Sequence, residues 1–299
     1  MTIPTRRHAL PASPSGPAEK ASHGEHESRS AYKAAPVQYA PLVPAFLSVA
    51  KWAFGFPGFL WPWNLIWLCI TVTTYKFTNP AIEEATALEM SWIWPMLARN
   101  LVLLWVVCGG WHGYLYIAKA NGTEKKYNPS WPKPDPKHLF GDQTYENLFY
   151  SHLGWLVWTA YEVFFMHMWA TGRLPYYSDW FANPWYSLAW LIAIPFWREF
   201  HFYWVHRLIH WKPLYKYVHS LHHRNVNPGP WSGLSMHPVE LVLYFSVVLF
   251  PSAVFPLHPI HMLFNAQHTA LTPAAGHSGF DLAGAPWYTG STFHYLHHR

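Results

Sequence analysis

Carboxylates are scarcest where this sequence is otherwise richest in chemistry. Across residues 181–280 only Glu199 and Glu240 are acidic, which leaves almost no material there for a paired-carboxylate acid–base site or a carboxylate-rich metal site. Charge is low throughout, with 12% charged residues against 51% hydrophobic and 19% aromatic, whereas a soluble domain carries roughly 25% charged residues. The two cysteines, Cys69 and Cys108, both lie inside apolar runs and exclude a disulfide framework or a cysteine zinc site. No G-x-G-x-x-G follows a strand pattern, so no nicotinamide site is expected in the chain. H-E-x-x-H, the zinc-protease signature, is missing, and so is an H-P-G-G haem box. The net charge of +5 is small and dispersed. It gives no nucleic-acid footprint and suits anionic lipid headgroups better.

What the sequence does have is apolar length, tryptophan and histidine. Its 20 Trp suit the boundary between hydrocarbon and headgroups. Residues 1–40 are polar and rich in Pro and Ser, and read as a disordered tail. Arg6 and Arg7 have no apolar core behind them, so no export signal is expected. Four runs near the ~20 residues of a membrane-crossing helix follow, at about 59–75, 92–117, 150–169 and 185–205. Residues 239–270 are again apolar but broken by Pro251, Pro256 and Pro259, the pattern of a hairpin that enters and returns. Lys119, Lys125, Lys126, Lys133 and Lys137 mark the loop after the second run as cytoplasmic. Two more crossings bring the chain back to that side at Arg207, Lys212, Lys216 and Arg224. The expected fold is all-α: a polytopic membrane helical bundle with a histidine-rich dimetal site on its cytosolic face. Membrane-spanning helices occupy 41–180 and a catalytic domain 181–299.

Among the 21 histidines, three sets have helical spacing. His206 and His210 are four apart, and the pattern H-x-x-H-H occurs at His219, His222 and His223 and again at His294, His297 and His298. Offsets of three and four share a helix face, so each set can converge on one point. Imidazole is the commonest metal ligand, and two ions held without carboxylates need roughly eight to ten of them. Glu199, seven residues before His206, is placed to accept a ligand's second ring N–H and fix its tautomer. His237 is expected to support the site together with Glu240. His112, His138, His152, His167, His258 and His261 stand alone and read as packing or interfacial residues, and His201 falls off the ligand face.

From about Phe196 to Arg299 these motifs resemble the fatty acid hydroxylase / sterol desaturase superfamily. The resemblance rests on Trp204-Val205-His206-Arg207-Leu208-Ile209-His210, His219-Ser220-Leu221-His222-His223, His237-Pro238-Val239-Glu240, His277-Ser278-Gly279-Phe280 and His294-Tyr295-Leu296-His297-His298. The last two are most similar to the C4-methyl sterol oxidase branch. It implies a non-haem oxygenase holding two iron ions, although another metal could occupy a purified sample, and using O2 and two electrons on a lipid C–H bond. The implied ligands are His206, His210, His219, His222, His223, His294, His297 and His298, with His277 as the additional histidine. His268 is a further candidate, since Pro273 stands four before His277 where a partner often lies. A separate electron donor, such as cytochrome b5, a ferredoxin or a reductase, is also implied. Members usually continue beyond the last box, so a truncated C-terminus is expected. The competing reading is a histidine-rich membrane metal-binding or transport protein. A transporter would usually carry its ionisable groups within the spans and in repeated halves, and neither feature is visible.

Overall fold

Side-chain caps and prolines set where the helices begin. Asp142 accepts from the Thr144 and Tyr145 amides at 2.7 and 3.1 Å, satisfying donors that the first turn leaves open. Asn183 does the same for Tyr186, with Pro184 at the first helical position. Two His-Pro pairs repeat the device: His237 Nδ1 accepts from the Val239 amide and His258 Nδ1 from the Ile260 amide, each at 3.2 Å. His237 is therefore a helix cap and does not support the metal site through Glu240.

The computed structural model describes residues 46–56, 58–281 and 290–299, so the expected tail at 1–40 lies outside the described residues. Those residues are all-α. No strand forms among them, and extended backbone pairs only at two isolated bridges, Lys126 with Phe280 and Tyr176 with Leu257. In chain order the principal helices are α1 (Phe46–Phe54), α2 (Trp63–Thr78), α3 (Met90–Ile117), α4 (Gln143–Ala170), α5 (Pro184–Ile209), α6 (residues 212–223), α7 (Pro238–Val254), α8 (Pro259–Leu271) and α9 (Gly290–His298). The chain reverses between α7 and α8 at Phe255, Pro256, Leu257 and His258, with Tyr244 Oη donating to Thr269 O and Asn265 Nδ2 to Val247 O across the two helices.

Helix α4 is central, packing against α3, α7 and α8, while α8 also packs against α2 and α5. Their shared interior is built from Trp92, Met96, Trp158, Phe165, Trp169, Leu241, Phe245 and Met262, all nearly inaccessible. Among the described residues one helix, α3, is long and apolar enough to cross a membrane. The run at 59–75 yields a helix of only 16 residues. Helices α4 and α5 reach 28 and 26 residues but carry polar groups on their inner faces, among them Glu146, Asn147, Thr159 and Glu162 on α4. Sequence runs report apolar composition, whereas these helices keep their apolar residues on both faces and insert polar ones where they meet.

The lysine-rich loop folds back on the histidine region. Tyr127 N donates to Gly279 O at 3.1 Å and Asp281 N to Lys125 O at 2.7 Å. Arg224 Nη1 donates to Lys137 O and Gln143 Nε2 to Asn227 O. Loop and His clusters thus lie together, as the charge pattern led one to expect. Lys126 departs from that pattern. It is buried, donating to the Asn128 and Ser130 carbonyls and to Asn227 Oδ1, and burial pushes its ammonium down to about 8.

Candidate metal centre

The histidines arrive on four pieces of chain. His206 and His210 occupy one face at the C-terminal end of α5. The helix stops there, and Lys212-Pro213 starts α6 in a new direction, with Trp211 extended between them. A π-helical turn at Tyr215–His219 then carries the first member of the second set, and His222 and His223 follow it on α-helical backbone. Such wider turns shift the register of the side chains that follow and are frequent at functional sites. His277 follows the short turn Pro273–Gly276, and α9 carries His294, His297 and His298.

These residues form two groups. In one, single ring nitrogens of His206, His210, His219 and His297 all lie within 4.8 Å of one another, and in the other the same holds for His222, His277, His294 and His298. The Nε2 atoms of His206, His210 and His297 stand 2.8, 3.1 and 3.2 Å apart. In the second group His294 is 2.7 Å from His277 and 3.0 Å from His298, and His277 is 3.2 Å from His222. His223 lies between the groups: its Nε2 is 3.1 Å from that of His219, and its ring centroid is 4.6 Å from His297 and 4.8 Å from His298. The repeated H-x-x-H-H pattern therefore straddles two centres. Its first and second members diverge, so His219 joins one group and His222 the other.

Three of these rings have a fixed orientation. His219 Nδ1 donates to Glu240 Oε1 at 2.8 Å, His222 Nδ1 to the Ser235 carbonyl at 3.1 Å, and His277 Nδ1 to the Pro273 carbonyl at 2.9 Å. Each bond places the ring proton on Nδ1 and leaves the Nε2 lone pair facing the group. Burial, reinforced by neighbouring imidazoles, pushes His219 down to about 2 and His223 to about 4. The same causes hold His222, His277, His294 and His298 well below the ordinary imidazole range. All are neutral at pH 7, so their lone pairs are available.

The donor set fits cations. A neutral imidazole carries one N–H, so three ring nitrogens facing one another cannot all satisfy each other, whereas a shared ion can. Nitrogens each ~2.1 Å from one ion and at right angles about it stand ~3.0 Å apart, close to the spacings found. Glu240 is 2% exposed and its Oε2 has no hydrogen-bond partner among the described residues. A buried carboxylate beside ligands that are all neutral is the natural counter-charge to a cation. We predict that Glu240→Gln lowers metal affinity about 10- to 100-fold, the usual loss for a partner behind a ligand, measured by competition with a chelator.

Gly279 ties the second group to the loop. Its φ is +76°, and a Cβ there would come within 2.5 Å of both Pro228 O and Tyr116 Oη. Only glycine fits this approach of backbone to backbone. Gly279→Ala should therefore displace the segment carrying His277 at a cost of order 1–3 kcal/mol, read as a lower unfolding temperature together with partial metal loss.

Not every candidate joins the centre. Glu199 contacts Arg198 on its own helix rather than His206, because adjacent residues with long side chains meet before the carboxylate can reach along the helix. His268 is bonded through Nε2 to Asn64 Oδ1, and its Nδ1 has no partner among the described residues. It belongs to neither group. His201 pairs with Ser246 Oγ at 2.9 Å. The Ser235 and Pro273 carbonyls that orient two ligands escape sequence reasoning altogether, since any residue type presents the same carbonyl. The centre opens onto a cavity of about 290 Å³ whose walls include Phe202, Val205, Ile209, Met236 and Tyr244, with Arg198, Glu199 and Thr272 also lining it.

Residues 190–299 match the fatty acid hydroxylase family. A very-long-chain aldehyde decarbonylase of Oryza sativa subsp. indica is 36% identical over 108 residues, covering 34% of this chain and 40% of the relative. A methylsterol monooxygenase of Arabidopsis thaliana is 35% identical over 108 residues with the same coverage. A Delta(7)-sterol 5(6)-desaturase of Aspergillus fumigatus is 34% identical over 98 residues, covering 31% and 30%. The chain thus spans 30–40% of the length of these relatives. No solved structure matches. The family match falls on the segment that carries all nine clustered histidines, and it is that segment, about a third of the chain, that is similar to fatty acid hydroxylases and sterol desaturases.

Proposed function

We propose that the chain is an integral membrane oxidoreductase whose nine converging histidines hold two iron ions, and that it uses O2 to hydroxylate or desaturate a lipid C–H bond. The observation that carries this reading is the pair of four-histidine groups, joined by His223, at the wall of a largely apolar cavity. Bound there, a redox-active pair would supply the oxidising power that an unactivated C–H bond requires, since no side chain is basic enough to remove its proton. The chain's own contribution is placement. Glu240 and the Ser235 and Pro273 carbonyls orient three of the rings, and Phe202, Val205, Ile209 and Met236 exclude water from the lipid's path. Hydroxylation takes up one oxygen atom and releases the other as water, drawing two electrons and two protons from outside. The electrons would come from a separate donor, a cytochrome b5, ferredoxin or reductase.

Large apolar side chains facing outward support a multi-pass membrane position. Val102, Trp105, Val106 and Ile117 are exposed on α3, and Trp185, Leu188, Phe200 and Trp204 on α5. Patches of this kind mark a surface that meets lipid or protein. The clustered lysines and arginines favour placing the histidines on the cytoplasmic face. The test compares, by mass, lipids from cells that express the chain with lipids from cells that express none. A lipid that gains one oxygen or loses two hydrogens only in the expressing cells supports the reading, and identical lipid profiles with iron-loaded protein present overturn it.

A further inference from the structure

Of the lysines at 119, 125, 126, 133 and 137 in the loop after α3, Lys126 alone is buried. Its ammonium has three N–H donors, and the fold supplies three oxygens for them: Asn128 O at 2.7 Å, Asn227 Oδ1 at 3.0 Å and Ser130 O at 3.1 Å. Three rings close the remaining sides, with the Tyr116 and Trp131 centroids 5.5 Å from Nζ and that of Phe280 at 5.7 Å. These lie within the ~6 Å over which a cation is drawn to a ring face. All six partners are neutral. A buried charge met only by neutral groups is costly, and an apolar side chain of similar volume would fill the same space without that cost. What the charge does for the fold follows from where its partners lie.

Asn227 closely follows His222 and His223 in the chain, and Phe280 closely follows His277. These two segments each bring a ligand to the same four-histidine group, where the Nε2 atoms of His222 and His277 stand 3.2 Å apart. The loop around Lys126 bonds to both. On one side Asn227 Nδ2 donates to Ser130 O at 2.9 Å, and on the other Lys126 pairs with Phe280 as an isolated antiparallel bridge, through the Tyr127 and Asp281 amides. Tyr116 Oη also meets both segments, at Pro228 O and Ser278 O, but a hydroxyl has one proton for two carbonyls. The ammonium has one for each of its oxygens. The other group draws its ligands from α5, the π-helical turn and α9, none of which contributes an atom to this cage.

We propose that Lys126 is a positioning residue for one of the two metal ions: its caged ammonium fixes the separation of the segments bearing His222 and His277, and with it the affinity of the group that they share with His294 and His298. The proposal rests on the two-ion reading above and extends it to a residue outside the segment 190–299 that the family match covers.

The test uses the full chain, purified in detergent, loaded with iron and challenged with a chelator. Wild type is expected to keep two ions under conditions in which Lys126→Ala and Lys126→Met keep one, through an affinity loss of at least tenfold confined to one group. Adding Lys126→Ala to His297→Ala, whose intact group is the one with His222, should release the remaining ion. Adding it to His222→Ala should release nothing further. n-Propylammonium replaces the three carbons and the ammonium that Lys126→Ala removes, and is expected to restore the lost ion. Tetramethylammonium has no N–H to give the three oxygens and is not, and Lys126→Met fills the space itself and should not respond to either. In the metal-free chain, hydrogen exchange at the Tyr127 and Asp281 amides should quicken at least tenfold in Lys126→Ala and slow again with n-propylammonium. Should Lys126→Ala fail to fold, Lys126→Met, which keeps the packing, carries the same metal and exchange comparisons. Equal loss of both ions, retention of both, or no rescue by n-propylammonium overturns the proposal. Wild type that binds no iron refutes the two-ion reading instead; the exchange experiment then decides the cage by itself, and unchanged exchange overturns it.

Discussion

Alanine in place of His222 is expected to abolish lipid oxidation and to remove about half of the bound metal. The residue is 2% exposed, its Nδ1 is fixed by the Ser235 carbonyl, and its Nε2 belongs to the group completed by His277, His294 and His298. His297→Ala strikes the other group, with His206, His210 and His219. Both variants should lose turnover, because the proposed reaction draws on two ions together, and each should retain the ion held by the untouched group. Metal analysis of the purified variants beside a turnover assay checks this. His258→Ala is the control. That imidazole caps α8 and belongs to neither group, so its loss should leave metal content unchanged. Full activity in His222→Ala or His297→Ala would contradict the assignment.

The second large effect concerns the interior of the bundle. Arg99 on α3 and Glu162 on α4 form an ion pair whose side chains are 2% and 0% exposed. Asn100 Nδ2 donates to Glu162 Oε2 at 3.0 Å and Trp158 Nε1 to Glu162 Oε1 at 2.6 Å. Asn100 Oδ1 accepts from Arg99 Nε at 3.0 Å, and Asn100 Nδ2 also reaches Thr159 Oγ1. Removing one partner strands a buried charge, so Glu162→Leu or Arg99→Met alone should destabilise by about 3–5 kcal/mol. The double variant should recover most of that loss, because a well-packed apolar pair can replace a buried ion pair at little cost. Denaturant titration in detergent, taken through the double-mutant cycle, reads the coupling directly. Additive losses across the cycle would mean that the pair does not act as a unit.

The histidine spacing was legible because it follows the helix repeat, and a repeat survives whatever the rest of the chain does. What spacing could not carry was the assignment of each residue to one centre or the other. His219 and His222 separate because a π-helical turn ends at His219 and the chain redirects at Trp211, both consequences of packing. Glu240 was legible as a lone acid among histidines, but its partner is His219, twenty-one residues earlier, and not His237. The His-Pro pairs at 237–238 and 258–259 show how a local rule can outrank a functional guess: the proline fixes a first helical turn and the imidazole before it accepts from that turn's amide. Glu199 was misjudged for a related reason, because periodicity gives a face but says nothing of the arginine next in chain. Helix α3 was read correctly as an apolar span. The polar interior of α4 was invisible in a composition average, since Glu162 counts against an apolar run even when Arg99 neutralises it.

One measurement bears most directly on the paired centre: iron quantitation together with X-ray absorption on the purified, reconstituted chain. Two irons per chain, each surrounded mainly by imidazole nitrogens at about 2.1 Å, with an iron neighbour a few ångströms away, is the result expected from the two groups around His223. A single ion per chain, or two whose nearest atoms are chiefly oxygen or sulfur, would contradict it.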